Sequence, residues 1–385
     1  MKNNEIVIVT YDNYPNGNAG AVRQHIFAKA FMNLGYTVNL IGMGSSTDFQ
    51  YREYEGVKYI SFRYKKTDVI HKVLNKIFYM YRLKKNIRNM SPKVIMVVGI
   101  PLRGFRYLKK YARKYSIPLV HDSVEWYSKE EFNLGVFNSN YIVNDYLNRH
   151  MVDKNCRVIA ISKYLENHFN DKGIRTCNIP FVQDVKNIVC TKKLLEDRIV
   201  IVYAGSIEKK DYFDAIIGAM VKLTKEELSK IELRIIGCNK TKFIEKTDID
   251  AEVIDSIGES VLFLGRVPRD VVIDNLKEAD FTVLIRPQNL RYAKAGFPTK
   301  VTESMSYATP VIANITSDLG DYLVDEFNSI VVRGNTRDDV LSALKKALSY
   351  DKNQIRQMCN NARKTAEEKL DYRLFYDDIK DIIGE

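Results

Sequence analysis

Chemistry in this sequence gathers where short apolar runs end. The richest stretch is IRPQNLRYAKAGFPTKVTESMSYATPVIAN, residues 285–314. Gly296-Phe297-Pro298 stops the chain just before a helix, and Lys300 and Glu303 stand three residues apart on one face of its first turns. Unpaired N–H groups at a helix start suit a phosphate, Lys300 adds positive charge, and Glu303 is placed to accept hydrogen bonds from ribose hydroxyls. Two other strand-to-helix turns share this make-up. YAGSIEKKD, 203–211, ends a strand at Gly205 and Ser206 and brings Lys210 within reach of a diphosphate; surface lysines on a solvated turn would read the same way. YDNYPNGNAGAVRQH, 11–25, carries Gly17 and Gly20, which let backbone N–H groups approach an anion, although an ordinary turn uses the same residues.

Other chemistries find less support. The five cysteines, Cys156, Cys177, Cys190, Cys238 and Cys359, are widely spaced without a C-x-x-C, which argues against a disulfide scaffold or a zinc site and fits a reducing compartment. Asp248-Ile249-Asp250 spells D-x-D, but no strand precedes it to place a divalent cation, and hard-cation sites need several convergent oxygens. The expectation is therefore no metal and no resident cofactor. Trp126, the only tryptophan, can stack on a sugar or pack in the core.

The elements that must position these residues follow from pattern. A chain of 385 residues, 45% apolar and 28% charged, is neither disordered nor collagen-like and is long enough for two domains with separate cores. Strand-like runs at 6–10, 37–42, 57–62, 93–98, 118–122 and 157–162 alternate with helical stretches at 20–34, 70–90, 104–116 and 139–155. A second series has strands at 199–205, 233–237, 261–265, 281–285, 310–314 and 329–332, with helices around 211–224, 269–279, 299–308, 318–325 and 336–349 and a long last one at 353–383. Short, fully apolar strands separated by helices predict parallel sheets covered on both faces. The fold class is thus α/β, two Rossmann-like doubly wound domains facing across a cleft, with boundaries 1–181, a linker at 182–197, 198–370, and a C-terminal helix at 371–385 crossing back. Such folds bind ligands beyond the carboxyl ends of their strands, where the three stretches fall.

Charge is unevenly spread. The net charge is +11, yet residues 1–190 hold 29 Lys+Arg against 15 Asp+Glu, so the second half is slightly acidic. Over 68–90, Val69, Val73, Ile77 and Met80 recur at helical steps, with Ile70, Leu74, Phe78 and Tyr81 one position behind and Lys72, Lys76, Lys84, Lys85 and Arg88 on the other face. This basic amphipathic helix either lies on an anionic membrane surface or packs its stripe on its own sheet. No nucleic-acid-binding motif accompanies it. The sequence opens almost directly on a strand, without an apolar leader, and has no run of about 18 apolar residues. The expected location is cytoplasmic, peripheral to the inner membrane face.

Three segments carry a family resemblance: FLGRVPRD at 263–270, AGFPTKVTESMSYATPVIAN at 295–314, and VHDSVEWY at 120–127. The chain resembles the GT-B fold glycosyltransferases of family 4, which are retaining enzymes. The resemblance implies transfer of a sugar from a UDP- or GDP-linked donor to a glycan or lipid-linked acceptor in surface polysaccharide synthesis. It places Gly17, Gly20, Gly205, Ser206, Lys210, Gly265, Arg266, Arg286, Ala295, Gly296, Phe297, Pro298, Lys300 and Glu303 at the donor. It places His121, Asp122 and Glu125, as catalytic residues, where the transferred sugar meets the acceptor. Two positions depart from the family. Ser206 stands where an arginine is common, and Ala295 replaces the first carboxylate of E-x(7)-E. The second departure implies a methyl group facing the donor sugar and tolerance of deoxy or substituted donors. A sugar-nucleotide epimerase of the same fold and a non-catalytic protein that binds anionic surfaces are the alternatives.

Overall fold

Runs of branched apolar residues pair edge to edge into two sheets, one in each of two units. The computed structural model describes residues 4–15, 17, 19–46, 50–64, 69–207 and 210–385. The first unit comprises residues up to Val182 together with Tyr372–Glu385, and the second is Gln183–Asp371.

The first sheet holds β1 (Glu5–Thr10), β2 (Thr37–Ser46), β3 (Arg52–Tyr54), β4 (Val57–Tyr64), β5 (Val94–Val98), β6 (Leu119–Ser123), β7 (Arg157–Ala160) and β8 (Thr176–Asn178). Their spatial order is β3-β4-β2-β1-β5-β6-β7-β8, parallel throughout except for the β3–β4 hairpin. Sequence periodicity finds the interior strands and misses β3 and β8, because these three-residue edge strands, REY and TCN, have no apolar run. The second sheet runs β11-β10-β9-β12-β13-β14 and is wholly parallel, from β9 (Ile199–Ala204), β10 (Ile231–Ile236), β11 (Val261–Gly265), β12 (Phe281–Leu284), β13 (Val311–Asn314) and β14 (Ser329–Val332). Alternation along β9 sends Ile199, Ile201 and Tyr203 into one core and Val200 and Val202 into another on the opposite face, as double winding requires.

The last helical stretch is two helices, Lys352–Lys369 and Tyr376–Ile383. Between them the Asp371 carboxylate accepts the Lys186 amide at 3.0 Å and the Leu370 carbonyl accepts the Gln183 amide at 3.0 Å, which turns the chain. Beyond this turn Tyr372, Ile379, Ile382 and Ile383 are buried in one cluster with Ile6, Ile8, Phe27 and Phe31 of the first unit. The stretch expected to be helical at 318–325 holds only the short 3-10 turn Leu319–Asp321.

Helix α1 (Ala19–Asn33) covers β1 and β2, and its inner stripe includes a charge. Arg23 is 2% exposed and donates from Nε and Nη2 to the Asp122 carboxylate of β6 at 2.8–3.1 Å, and to the carbonyls of Ile179 (3.0 Å) and Pro180 (2.6 Å). Helix α2 (Val69–Met90) corrects the expected stripe. The described inner positions are Tyr79, Leu83 and Ile87, whereas Phe78 and Tyr81 are exposed; the side chains of 69–77 lie outside the described residues. Tyr79 packs against Gly104 of α3 (Leu102–Lys114), where a Cβ would come within 2.3 Å of its hydroxyl.

Arg23→Leu would leave Asp122 buried without its partner, at a cost of about 3–5 kcal/mol. Trp126 belongs to the first unit, so its fluorescence in a urea titration reads this loss, and Asp122→Asn in the Arg23→Leu background should recover part of it. A midpoint unchanged by Arg23→Leu would show that the pair contributes nothing.

Candidate functional site

In the second unit the carboxyl end of β9 meets the start of the helix Thr299–Ser306. The chain leaves β9 through Gly205, in the left-handed region at φ +148°, and a Cβ there would lie 2.6 Å from Lys300 Cε. That φ favours glycine, and the missing side chain leaves room for the lysine stem beside the backbone. Lys300 is the second residue of its helix, and the N-cap, Pro298, supplies no side-chain acceptor, so first-turn amides point out of the helix end.

Both cations at this place converge on Asp211, which is 5% exposed. Arg286 Nε donates to Asp211 Oδ1 at 2.8 Å, Lys300 Nζ to Oδ2 at 3.3 Å, and the Tyr203 hydroxyl to Oδ2 at 2.5 Å. Lys300 Nζ also lies 4.8 Å from the centre of the Tyr203 ring. Arg286 is itself fixed by Asn314 of β13, whose Oδ1 accepts the Arg286 amide (2.9 Å) and whose Nδ2 donates to the Arg286 carbonyl (2.6 Å). The Tyr212 amide bonds the Ile285 carbonyl at 2.8 Å, which ties the loop after β9 to the loop after β12.

Electrostatics follow from this crowding. Burial works to raise the Asp211 pKa, and Arg286 and Lys300 overcome it, holding the carboxyl far below the ordinary range. Burial opposes the Arg286 charge as well, but Asp211 beside it leaves that pKa raised. Lys300 ends below the usual lysine range because burial outweighs its contact with Asp211.

The other expected donor residues are placed unevenly. Lys210 adjoins this cluster, and its carbonyl accepts from the Tyr292 hydroxyl at 3.4 Å. Ser206 is exposed, Gly265 gives its carbonyl to the Gly237 amide at 2.7 Å, and Arg266 is exposed at the end of β11. Glu303 is bonded to Arg269. Ala295 does not face a ligand site, since the short helix Arg291–Ala295 turns it inward to 0% exposure and turns Lys294 out. The expected tolerance of deoxy donors loses its basis with that burial. Phe297 and Pro298 are buried, Phe297 edge-on to Tyr322, and the Gly296 N–H is used by the Tyr292 carbonyl at 3.0 Å. Any contribution of Phe297 and Pro298 to a ligand is through main chain.

In the first unit, the proposed catalytic trio does not come together. His121 and Asp122 are neighbours in a strand, so they face opposite sides of the sheet. Asp122 is held by Arg23, while His121 lies edge-on to Phe105 and Phe169 with a buried, unbonded Nδ1. Glu125 is exposed beyond the strand, and its carbonyl accepts from Asn144 at 3.2 Å. Trp126 is packed, 4% exposed, with Nε1 donating to Asp145 at 2.9 Å and Arg149 and His168 against its ring. Gly17 is fixed by packing, because a Cβ would come within 2.3 Å of the Asn13 carbonyl oxygen, and Gly20 lies in the first turn of α1. Asp248 and Asp250 stand at the junction of the helices Lys240–Thr247 and Ala251–Ser256. Among the described residues no three His, Cys, Asp or Glu side chains gather as metal ligands.

Sequence reasoning passed over Asp211 and Arg23. A lone acid directly after two lysines at a strand end, and an arginine one helical turn before Phe27, were the available signals.

Residues 187–365, nearly all of the second unit, match the family described as glycosyl transferases group 1. Solved structures share the whole fold. Sucrose-phosphate synthase from Thermosynechococcus elongatus aligns over 98% of both chains at 13% identity and TM-score 0.77. WaaG, a glycosyltransferase involved in lipopolysaccharide biosynthesis, covers 99% of this chain and 100% of its own at 14% identity and 0.70. Anabaena HepE in complex with UDP-glucose covers 98% of each at 14% and 0.66. No curated protein sequence matches the chain. The fold is GT-B, and residues 187–365 are similar to the group 1 glycosyl transferases.

Burial pushes the His121 pKa down to about 4 from an ordinary 6.5. The unfolded chain therefore takes up the proton first, so stability falls as pH drops through 6.5 and the loss levels off below about 4, amounting to about 3 kcal/mol. Urea midpoints followed by Trp126 between neutral pH and about pH 4 should decline less steeply in His121→Leu; equal slopes would contradict this.

Proposed function

We propose that this chain is a glycosyltransferase, a retaining enzyme of family 4 type, which moves a sugar from a UDP- or GDP-linked donor to a glycan or lipid-linked acceptor in surface polysaccharide synthesis. The observation that carries the donor reading is the convergence of Lys300 and Arg286 beside the bare backbone of Gly205, at the amino end of the helix Thr299–Ser306, with Lys210 adjacent. In the reaction the bond from the anomeric carbon to the diphosphate oxygen breaks, the acceptor hydroxyl oxygen bonds to that carbon, and its proton passes to the leaving diphosphate. The leaving diphosphate gathers negative charge, which fixed cations and helix amides offset without reorganising. HepE, which was solved with UDP-glucose, and WaaG support the same reading through their fold.

Ser206 leaves the loop after β9 without the expected arginine, and Arg286 stands in for it by reaching Asp211 from the next strand. Glu303 would exchange Arg269 for ribose hydroxyls when donor binds. His121 shapes the first unit as a neutral, buried group, and Asp122 acts through Arg23. The diphosphate is neutralised by side chains and amides, so no metal is assigned a role.

The first unit would dock on an anionic membrane surface. Exposed Lys84, Lys85 and Arg88 of α2 and Arg103, Arg106, Lys110, Arg113 and Lys114 of α3 support this, beside exposed Phe78, Tyr81 and Tyr115. No helix among the described residues is long and apolar enough to cross a membrane.

Lys300→Ala and Lys210→Ala should each weaken donor binding roughly 10- to 150-fold, the equivalent of about 1.5–3 kcal/mol for a charge-assisted hydrogen bond. Steady-state turnover of UDP- and GDP-sugars checks this, and wild-type KM in both variants would remove the site. The same assay with EDTA should retain activity, while loss restored by manganese would return Asp248 and Asp250 to consideration. Sedimentation with phosphatidylglycerol-containing vesicles should exceed that with phosphatidylcholine alone and fall steeply with salt, since each basic residue near such a surface contributes about 1 kcal/mol; equal binding to both vesicles would refute docking.

A further inference from the structure

Asp211 has more partners than a structural ion pair needs. It is almost wholly buried, and its two oxygens serve Arg286, Lys300 and Tyr203 together. One carboxylate balances one cation, so the cluster keeps a net positive charge beside Gly205. The two cations are not held alike. Arg286 is the inner one, 12% exposed, in a short bond of 2.8 Å and locked at its backbone by Asn314. Lys300 is the outer one, 22% exposed, at 3.3 Å, with its stem lying over a residue that has no side chain to block it. The longer, more open contact on a flexible stem is the one an incoming anion can take over.

We propose that Asp211 is a positioning residue, which holds Lys300 charged beside Arg286 in the ligand-free site, releases it to the donor diphosphate, and keeps Arg286. This rests on the donor reading given above. Without Asp211 two neighbouring cations would face each other in a buried place, and the lysine, which unlike arginine can give up its proton, would be the one to go neutral. With Asp211 present, the lysine keeps a partner until phosphate oxygens replace it, and Arg286 does not repel it in the meantime. Burial already brings Lys300 below the usual lysine range, so the consequence appears on the alkaline side of the pH profile.

The test is calorimetric binding of UDP, GDP and inorganic pyrophosphate from neutral pH to about pH 10, with Asp211→Asn, Lys300→Met and the double variant. In Asp211→Asn the alkaline loss of affinity should begin about one pH unit lower than in wild type, so that between neutrality and the alkaline side its affinity falls about tenfold further than that of wild type. In the Lys300→Met background Asp211→Asn should add no further pH dependence. An unmoved alkaline limb, or the same loss in both backgrounds, would overturn the proposal and leave Asp211 a fold element. Failure of wild type to bind UDP, GDP or pyrophosphate would overturn the donor reading and this inference with it. If Asp211→Asn does not fold, NMR of the wild-type protein decides. Pyrophosphate should raise the Lys300 pKa and leave the Arg286 Nε–H resonance in place, whereas a response of both groups or of neither would refute the exchange.

Discussion

A negative charge placed where a negative ligand is expected is the constraint on which the second unit's site depends. Asp211 is expensive to bury and would be expelled or neutralised without its cations. Once paired, it dictates the rest. Arg286 must come from the end of β12, Lys300 from the start of the helix Thr299–Ser306, and Tyr203 from β9, so three elements distant in sequence are brought to one point. Gly205 holds a φ of +148° that other residues adopt only with strain, and its bare backbone leaves the lysine stem room. The parallel sheet makes this possible by ending β9 and β12 side by side.

The two units use buried ion pairs to different ends. Arg23 and Asp122 are both closed off from water, and two further donors of the arginine are spent on carbonyls, so the pair offers no open face to a ligand. That pair fastens α1 to β6 and to the chain following β8. The Asp211 cluster is left one positive charge in excess and partly open on the lysine side. Burial alone would class the two together; the count of partners and the exposure of the outermost cation separate them.

The fold was legible because parallel strands buried on both faces are written as short uninterrupted apolar runs, and helices between them as periodic ones. What escaped was short and polar, as with Arg52–Tyr54 and Thr176–Asn178, or depended on a turn set by distant partners, as at Asp371. Around the site, Gly205 could be read from its strand end and Lys300 from its helix start, while Arg286 came only with the family resemblance. Asp211 could not, since its role lies in contacts with residues some 75 and 89 positions away. Ala295 shows the opposite limit. A motif position gave it a place at the donor, but the helical phase of five residues turned it into the core.

The closing of the first unit's core by Tyr372, Ile379, Ile382 and Ile383 bears on how the protein is made. On the ribosome, α1 and the first sheet emerge early but must wait for some 190 further residues before that core is complete, whereas the second unit is continuous from Gln183 to Asp371 and lacks nothing once it has emerged. Of the two units, the one that emerges first is thus the later to complete its core, and in the interval its apolar face is open to chaperones. A ribosome that stalls shortly after Asp371 would release a chain with a complete second unit and an unclosed first one, a form that protein quality control could recognise by its exposed core.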